Sequence, residues 1–137
     1  MAIDITTVIQ ALNEDNNNSH EFVISNEPVN ETEYQQNVKY VSGSDANGSA
    51  IFSDTQPYTW SQVQAQFPIV EFDMAMEDLR TKRNKDLQDS DWTQLPDNTL
   101  TSEQRNAWMQ FRTELRNITN GLTTVEQVNN IDYPDKP

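Results

Sequence analysis

The chain has 137 residues, a length typical of one domain or of one domain with an arm. Hydrophobic residues make up 34%, below the roughly 45–50% apolar usage of globular proteins, so we expect a small core and a fold that orders partly on a partner. The absence of cysteine excludes disulfides, thiolate metal sites and cysteine nucleophiles.

The net charge of −13 is unevenly distributed along the chain. Residues 1–79 carry thirteen acids and one base, Lys39, whereas residues 80–137 carry nine acids and eight bases. Phosphate backbones and anionic membrane surfaces repel an acidic segment, so we expect neither a nucleic-acid partner nor a membrane partner. No apolar run is long enough to cross a bilayer, and the first residues lack the features of a secretory signal, which predicts synthesis in a cytoplasm.

A short first helix is predicted at the N-terminus, with Asp4 as its N-cap. Its apolar face consists of Ile5, Val8, Ile9 and Leu12. The polar tract at residues 13–19 predicts its end. Two interpretations stay open: the helix packs on its own domain, or it docks on a partner through residues such as Ile5 and Ile9.

Three short strands are predicted next, at residues 22–24, 38–41 and 50–52. Together they are sufficient for a small antiparallel sheet. The segment from Asp45 to Gly48 resembles a calcium loop only faintly, because Gln56 stands where the twelfth-position Glu is required. We interpret it as a turn.

Two helices are predicted around Pro68. Thr59 is expected to cap a short helix at residues 61–67, and Pro68 is expected to break it or to start a new one. The longest helix then covers residues 69–88. It carries a single stripe made of Phe72, Met76, Leu79, Arg83 and Leu87.

A second long helix is predicted to begin at Thr101, which forms a capping box with Gln104. Gly121 ends it, and the seam of this helix consists of Trp108, Phe111, Leu115 and Ile118. The short connection to the preceding helix predicts an antiparallel hairpin, whose end Trp92 and Leu95 would cover. Residues 123–128 are expected to form a further short helix, followed by an extended tail at residues 131–137.

The predicted fold class is therefore α+β, mainly α. Residues 1–69 would form an N-terminal adaptor region with a short helix and short strands. Residues 70–137 would form a C-terminal antiparallel helical hairpin with an extended tail.

The sequence contains no constellation of residues that indicates catalysis. His20 lies in a polar stretch and is interpreted as a surface residue, and three scattered glycines cannot build a phosphate loop. The carboxylate pairs Asp73 with Glu77 and Asp89 with Asp91 would at most bind a divalent cation loosely. We expect a protein that is not an enzyme and has no cofactor or metal site.

From Arg80 onward, a helix with Arg80 and Arg83 leads into the run Ser90-Asp91-Trp92-Thr93-Gln94-Leu95-Pro96-Asp97 and then into a helix with Trp108, Phe111 and Arg112. This pattern resembles the phage tail assembly chaperone family over roughly residues 70–137. In that family an Arg-rich helix leads into a Ser-Asp-Trp-Thr-Gln-Leu-Pro-Asp loop and a Trp-and-Phe-Arg helix. Tyr133 and Pro134 stand where the family often has a Trp-Pro pair in its tail. Asp86 stands where an apolar residue is common, so we expect looser packing at the end of the first helix. The matching positions are Arg80, Arg83, Asn84, Leu87, residues 90–97, Leu100, Thr101, Trp108, Phe111, Arg112, Leu115, Arg116 and Ile118.

This resemblance implies a bacteriophage tail protein that binds and orders tail, baseplate or tail-fibre proteins. One interpretation is a structural component of the virion tail, assembled in the host cytoplasm. The alternative is a transient assembly chaperone that is absent from the mature particle. A weaker third interpretation is an acidic mimic that occupies a basic site on a host protein. A homo-oligomer within a symmetric assembly is a further expectation, although no repeat in the sequence fixes a symmetry.

Candidate partner-binding residues lie mainly in and around the hairpin loop. Trp92 and Leu95 are the loop candidates, whereas Trp108 and Phe111 have a second interpretation as hairpin core. Arginines of the hairpin either pair with acidic loop residues such as Asp91 and Asp97 or reach carboxylates of a partner. The further candidates are Arg80, Arg83, Arg112, Arg116 and Tyr133.

Overall fold

The computed structural model describes residues 3–137, and the chain divides into two compact units, Met1–Glu71 and Phe72–Pro137. The α+β, mainly α fold class is confirmed. The elements in chain order are α1 (Ile5–Asp15), β1 (Phe22–Ile24), α2 (Glu31–Asn37), β2 (Val38–Ser44), β3 (Ala50–Phe52), α3 (Trp60–Asp89), a 3-10 helix (Asp91–Gln94), α4 (Ser102–Asn117) and α5 (Val125–Asn129).

Helix α1 begins as predicted, because the Asp4 carboxylate accepts a hydrogen bond of 2.9 Å from the Thr7 amide. The helix ends at Asp15, within the polar tract at residues 13–19 where its end was predicted. Asn13, in the last turn, is buried, and its side-chain amide donates to the carbonyl of His20. Its apolar face is buried within the first unit, which corresponds to a helix packed on its own domain.

The three predicted strands form one antiparallel sheet in the order β1-β2-β3. Phe22 lies opposite Tyr40, and Ile24 lies opposite Val38, so these four side chains share the face that packs on the core. A bulge between Val41 and Gly43 shifts the register toward β3.

Helix α2 was not predicted from the sequence, although it carries a start signal. The side chain of Asn30 accepts from the Glu33 amide at 2.9 Å, and Glu33 accepts in turn from the Val29 amide. The sequence pattern behind these two bonds, Asn30 followed three residues later by Glu33, would have indicated a helix N-terminus. Tyr34 is the one buried residue of α2.

A hydrogen-bonded group of tyrosines occupies the core of the first unit. The Tyr34 hydroxyl lies 2.8 Å from the Tyr40 hydroxyl and 2.8 Å from the carbonyl oxygen of Tyr58, while the Tyr58 hydroxyl donates to the Asn13 side chain at 2.7 Å. Burial raises the pKa of both Tyr34 and Tyr40 above the usual value for tyrosine. Because the hydroxyls are paired, these aromatic rings fill the core without leaving polar atoms unsatisfied.

Helix α3 runs through Pro68, so the predicted break at this residue is wrong. Proline in a helix removes the donor to the carbonyl four residues earlier, here that of Gln64. Both Pro68 and Gln64 are exposed, so water can replace the missing donor. On either side of the proline, the burial of Val63 and Val70 holds the helix together.

In the second unit α3 and α4 run antiparallel, as predicted. Arg112 of α4 contacts Leu87 near the end of α3, whereas Ile118, further along α4, packs on Met76 and Leu79, further back along α3. The partly buried side chains packed against this cluster, which also includes Val128, are Phe72, Ala75, Leu122, Ile131 and Tyr133. Gly121 adopts a φ of +76° after α4, a conformation that favours glycine.

The tail lies along α3. The Tyr133 hydroxyl donates to the Asp86 carboxylate at 2.6 Å, and the Lys82 ammonium lies 3.8 Å from the centre of the Tyr133 ring. Lys136 adds an ion pair with Asp86 at 3.6 Å. Asp86 therefore binds the tail. The sequence pattern, in which an apolar residue is common at this position, did not predict this role. Burial, followed by the bond to Asp86, raises the pKa of Tyr133.

Candidate partner-binding site

The loop between α3 and α4 begins with a turn that is stabilised by hydroxyl groups. The Ser90 hydroxyl donates back to the carbonyl oxygen of Asp86 at 2.7 Å, and the Thr93 hydroxyl donates to that of Ser90 at 2.7 Å. Both residues are buried. Short hydroxyl side chains suit this position because they give the carbonyl groups of the helix end a donor in addition to the backbone amides, and the Ser90 hydroxyl also lies 3.1 Å from the Leu87 carbonyl oxygen. The run Ser90–Thr93 is thereby folded back onto the helix.

Arg112 of α4 fixes this turn from the other side. Its guanidinium donates to the Leu87 carbonyl at 2.6 Å, to the Ser90 hydroxyl at 2.7 Å and to the Asp91 carboxylate at 2.8 Å. The Arg112 side chain is only 8% exposed, whereas that of Asp91 is 66% exposed. A planar cation with several donors matches the group of oxygens at the end of α3. The predicted ion pair between a hairpin arginine and Asp91 is therefore present, and Arg112 is the arginine that forms it.

Asn98 closes the second half of the loop. Its side-chain amide donates to the carbonyl oxygens of Thr93 at 2.9 Å and Leu95 at 2.7 Å, and its oxygen accepts from the Leu100 amide at 3.1 Å. Asn98 was not among the residues predicted from the sequence. An asparagine three residues before the capping residue Thr101 is the signal that would have indicated it, because asparagine favours local bonds to the backbone.

Three aromatic rings meet at this end of the hairpin. The Trp92 and Trp108 ring centres lie 6.0 Å apart, and those of Trp108 and Phe111 lie 5.8 Å apart, both in edge-to-face geometry. Phe111 is buried and Trp108 is partly buried, whereas Trp92 is 48% exposed. Leu95, which follows the 3-10 helix, is 54% exposed. We refer to Trp92, Leu95 and Trp108 as the loop surface.

Met109 extends the apolar character of this region. It follows Trp108 in α4 and is 51% exposed. Trp92, Leu95 and Met109 are the exposed large hydrophobic residues of the second unit, within the part of the chain that the structure describes. Met109 was not predicted as a binding residue, because it lies outside the predicted seam of α4, to which Trp108 and Phe111 belong.

The remaining predicted residues lie away from the loop surface. Arg80 is exposed on α3, and Arg83 is partly buried and donates from its Nε to the Asn84 side chain at 3.0 Å. Tyr133 is part of the tail contact with α3. Ile5 and Ile9 are fully buried in the first unit, so their side chains are core and not surface.

Charged groups before the loop form an ordinary helix-surface pair. The Lys85 ammonium lies 2.6 Å from the Asp89 carboxylate, and this bond holds the pKa of Asp89 below its usual value. Between residues 3 and 137, no group of three or more His, Cys, Asp or Glu side chains is arranged to hold a metal ion. Over the same residues, none of the helices has the length and apolarity to span a membrane.

Comparison with known proteins gives one finding for this region. The family model described as phage tail assembly chaperone protein matches residues 76–137. The matched segment includes most of the second unit, with the loop surface, Arg112 and the tail. The resemblance inferred from the residue pattern is thus confirmed over this segment, and it supports a role in phage tail assembly. No curated protein and no solved structure matches the chain.

Proposed function

We propose that this protein is a non-enzymatic component of a bacteriophage tail. In this proposal it binds and orders other tail, baseplate or tail-fibre proteins and remains in the mature virion after assembly in the host cytoplasm. The match of residues 76–137 to the tail assembly chaperone family supports the general role. The loop surface supports the binding of a partner, and the mass-spectrometry experiment below tests whether the protein remains in the virion.

The observation that carries the proposal is the exposed tryptophan on a rigidly held loop. Asp91 and Trp92 lie between Ser90 and Thr93, which are both buried and hydrogen-bonded. The Trp92 ring also contacts the Trp108 ring in edge-to-face geometry. A partner that covers Trp92 gains apolar burial and loses little conformational entropy, since the loop is already ordered. Tryptophans in such settings are the residues that most often dominate the energy of protein interfaces.

A second candidate function is a transient assembly chaperone. The match to a family described as a tail assembly chaperone favours it. In this case the loop surface would cover an apolar segment of a fibre or tail protein until that segment assembles, and the protein would then leave. The same residues bind in both cases, so only the fate of the complex separates the two functions.

The deciding experiment is quantitative mass spectrometry of purified, infectious particles. Recovery of this protein in a fixed stoichiometry with tail proteins supports the virion component. Its absence from particles, together with its recovery from infected cells in a complex with a tail or fibre protein, supports the transient chaperone. Absence from both would contradict a role in tail assembly.

The contribution of the loop surface is tested with matched variants. Leu95→Ala and Ile69→Ala remove similar apolar area from side chains that are 54% and 50% exposed, but only Leu95 belongs to the loop surface. We expect Trp92→Ala and Leu95→Ala to weaken association with the tail partner, with a loss of about tenfold or more for Trp92→Ala. Ile69→Ala is expected to leave association unchanged. Equal association of all three variants would show that the partner binds elsewhere.

A further inference from the structure

The strand β3 is uncovered on both of its faces. Its residues Ala50, Ile51 and Phe52 are all exposed, with Ile51 at 47% and Phe52 at 45%. Neighbouring side chains of a strand point to opposite faces of a sheet, so neither face of β3 is packed on the core. β3 is also an edge strand, paired only with β2. Proteins normally protect apolar edge strands of this kind, because they pair readily with other chains.

The face of the sheet that points away from the core is also apolar. Val23, opposite Lys39, is 49% exposed, and Phe52 lies opposite the partly buried Val41. An antiparallel sheet that packs one face on its core usually presents polar side chains on the other. The four outward residues here are Val23, Lys39, Val41 and Phe52, and all of them except Lys39 are apolar. We refer to Val23, Val41, Phe52 and the edge of β3 as the sheet surface.

The charge of the first unit indicates which kind of partner this surface fits. Residues 1–71 carry ten acids and one base, Lys39, and the Lys39 ammonium donates to the Gln35 carbonyl at 2.7 Å. Glu21 precedes β1, and Asp54 follows β3 closely. A second copy of this unit would bring together two surfaces of the same negative charge, which disfavours self-pairing. A basic segment is attracted instead.

We propose that the sheet surface binds an extended, apolar segment that carries lysine or arginine residues and comes from a different protein. The segment adds a strand next to β3, so that its backbone pairs with the free edge. Apolar and basic side chains alternate along the segment, so its apolar side chains cover Phe52 on the sheet surface, and its basic side chains lie on the opposite face, attracted by carboxylates such as Asp54. This surface lies outside the segment that matches the family model, and it does not depend on the function proposed above.

The test uses the full chain labelled with nitrogen-15 and a synthetic heptapeptide of alternating lysine and valine. We expect saturable shifts of the amide signals of residues 50–53, with binding that weakens as salt is added. A peptide of alternating glutamate and valine is expected to bind at least about tenfold more weakly because of charge repulsion. A lysine–valine peptide with N-methylated amides at alternate residues is also expected to bind at least about tenfold more weakly, because it cannot complete the strand pairing.

Two variants distinguish the sheet surface from general stickiness. Phe52→Ser is expected to raise the dissociation constant of the lysine–valine peptide about tenfold. Val29→Ser is the control, because Val29 is 75% exposed and lies outside the sheet; it should leave binding unchanged. Each variant's amide spectrum checks that the fold is intact.

Three outcomes would overturn the proposal. The first is the absence of saturable shifts in β3, and the second is equal binding of the lysine and glutamate peptides. The third is a set of β3 shifts that depends on the concentration of the protein alone, which would assign the edge to a second copy of the chain.

Discussion

The two units fill a small core in different ways. The first unit has ten acids and a single base, and its interior contains tyrosines whose hydroxyls bond to one another and to the backbone. The second unit, residues 72–137, has twelve acids and eight bases, and the buried charged residue at its loop is Arg112. Both solutions place polar atoms inside a protein that is poor in aliphatic side chains.

The difference between the buried tyrosines and Arg112 shows that the chemistry of a buried polar group determines which part of the structure it stabilises. A tyrosine contributes mostly apolar area, and its hydroxyl needs only one or two partners. Arg112 contributes several donors and a charge, so it binds a backbone carbonyl, a hydroxyl and a carboxylate together at the end of α3. Helix α3 has no basic residue in its last turn, and Arg112 supplies from α4 the positive charge that this end favours.

The largest effect is expected from a core truncation in the first unit. Ile9 is 0% exposed, so Ile9→Ala should lower the free energy of unfolding by about 2–5 kcal/mol through lost burial and a residual cavity. Gln10→Ala is the control, since the neighbouring Gln10 is exposed. Urea unfolding followed by circular dichroism measures both. A loss below about 0.5 kcal/mol for Ile9→Ala, the level of ordinary surface substitutions, would contradict the core assignment of α1.

The next effect concerns the arginine of the second unit. Arg112→Ala should cost about 2–4 kcal/mol, because it leaves the Leu87 carbonyl and the Ser90 hydroxyl without their charged donor. Arg116→Ala, on the exposed side of α4, should stay within about 0.5 kcal/mol. Asp91→Asn should cost less than about 1 kcal/mol, since the carboxylate is largely in water. Hydrogen exchange at residues 90–95 reports the change locally, and unchanged protection there in Arg112→Ala would refute the role of this side chain.

A smaller effect is expected in the tail. Tyr133→Phe removes the hydroxyl that donates to Asp86 but keeps the ring beside Lys82, so we expect a loss of about 1 kcal/mol. Limited proteolysis after residue 130 should become faster in this variant. Lys136→Ala serves for comparison, because its pair with Asp86 is longer and partly exposed and should contribute less. Equal cleavage rates in wild type and Tyr133→Phe would show that the bond does not hold the tail.

The last expected effect is a loss of stability that is absent at neutral pH and occurs only in alkaline solution. The folded state raises the pKa of Tyr34 and Tyr40, so the stabilisation that this provides is fully present below about pH 10, the pKa of an unfolded tyrosine, and is lost as pH rises above that value. Amide protection in the first unit should therefore fall steeply above about pH 10. Tyr40→Phe should flatten that fall. If the variant shows the same pH dependence as wild type, another group causes the loss.

Local signals in the sequence predicted most elements of both units. The capping box of Thr101 with Gln104 and the Asp4 cap are present as expected, because each depends only on residues within one turn of the helix. The exposure of Trp92 and Leu95 also agrees with their place in a loop. The sequence did not predict helix α2, the continuity of α3 through Pro68 or the role of Asn98. For α3, the burial of Val63 and Val70 outweighs the local preference of Pro68, whereas α2 and Asn98 depend on local hydrogen bonds whose signals are present in the sequence.

The sequence by itself determined the helix starts, the three strands, the charge difference between the units and the resemblance to a tail assembly family. These properties depend on residue type and on spacing along the chain, which local physical chemistry governs. Only the tertiary structure decided that Arg112, and not Arg80 or Arg83, holds the loop, that Asp86 binds Tyr133, and that Ile5 and Ile9 are core residues. Each of these depends on contacts between residues that lie more than twenty positions apart in the chain. Local spacing along the chain does not specify such contacts.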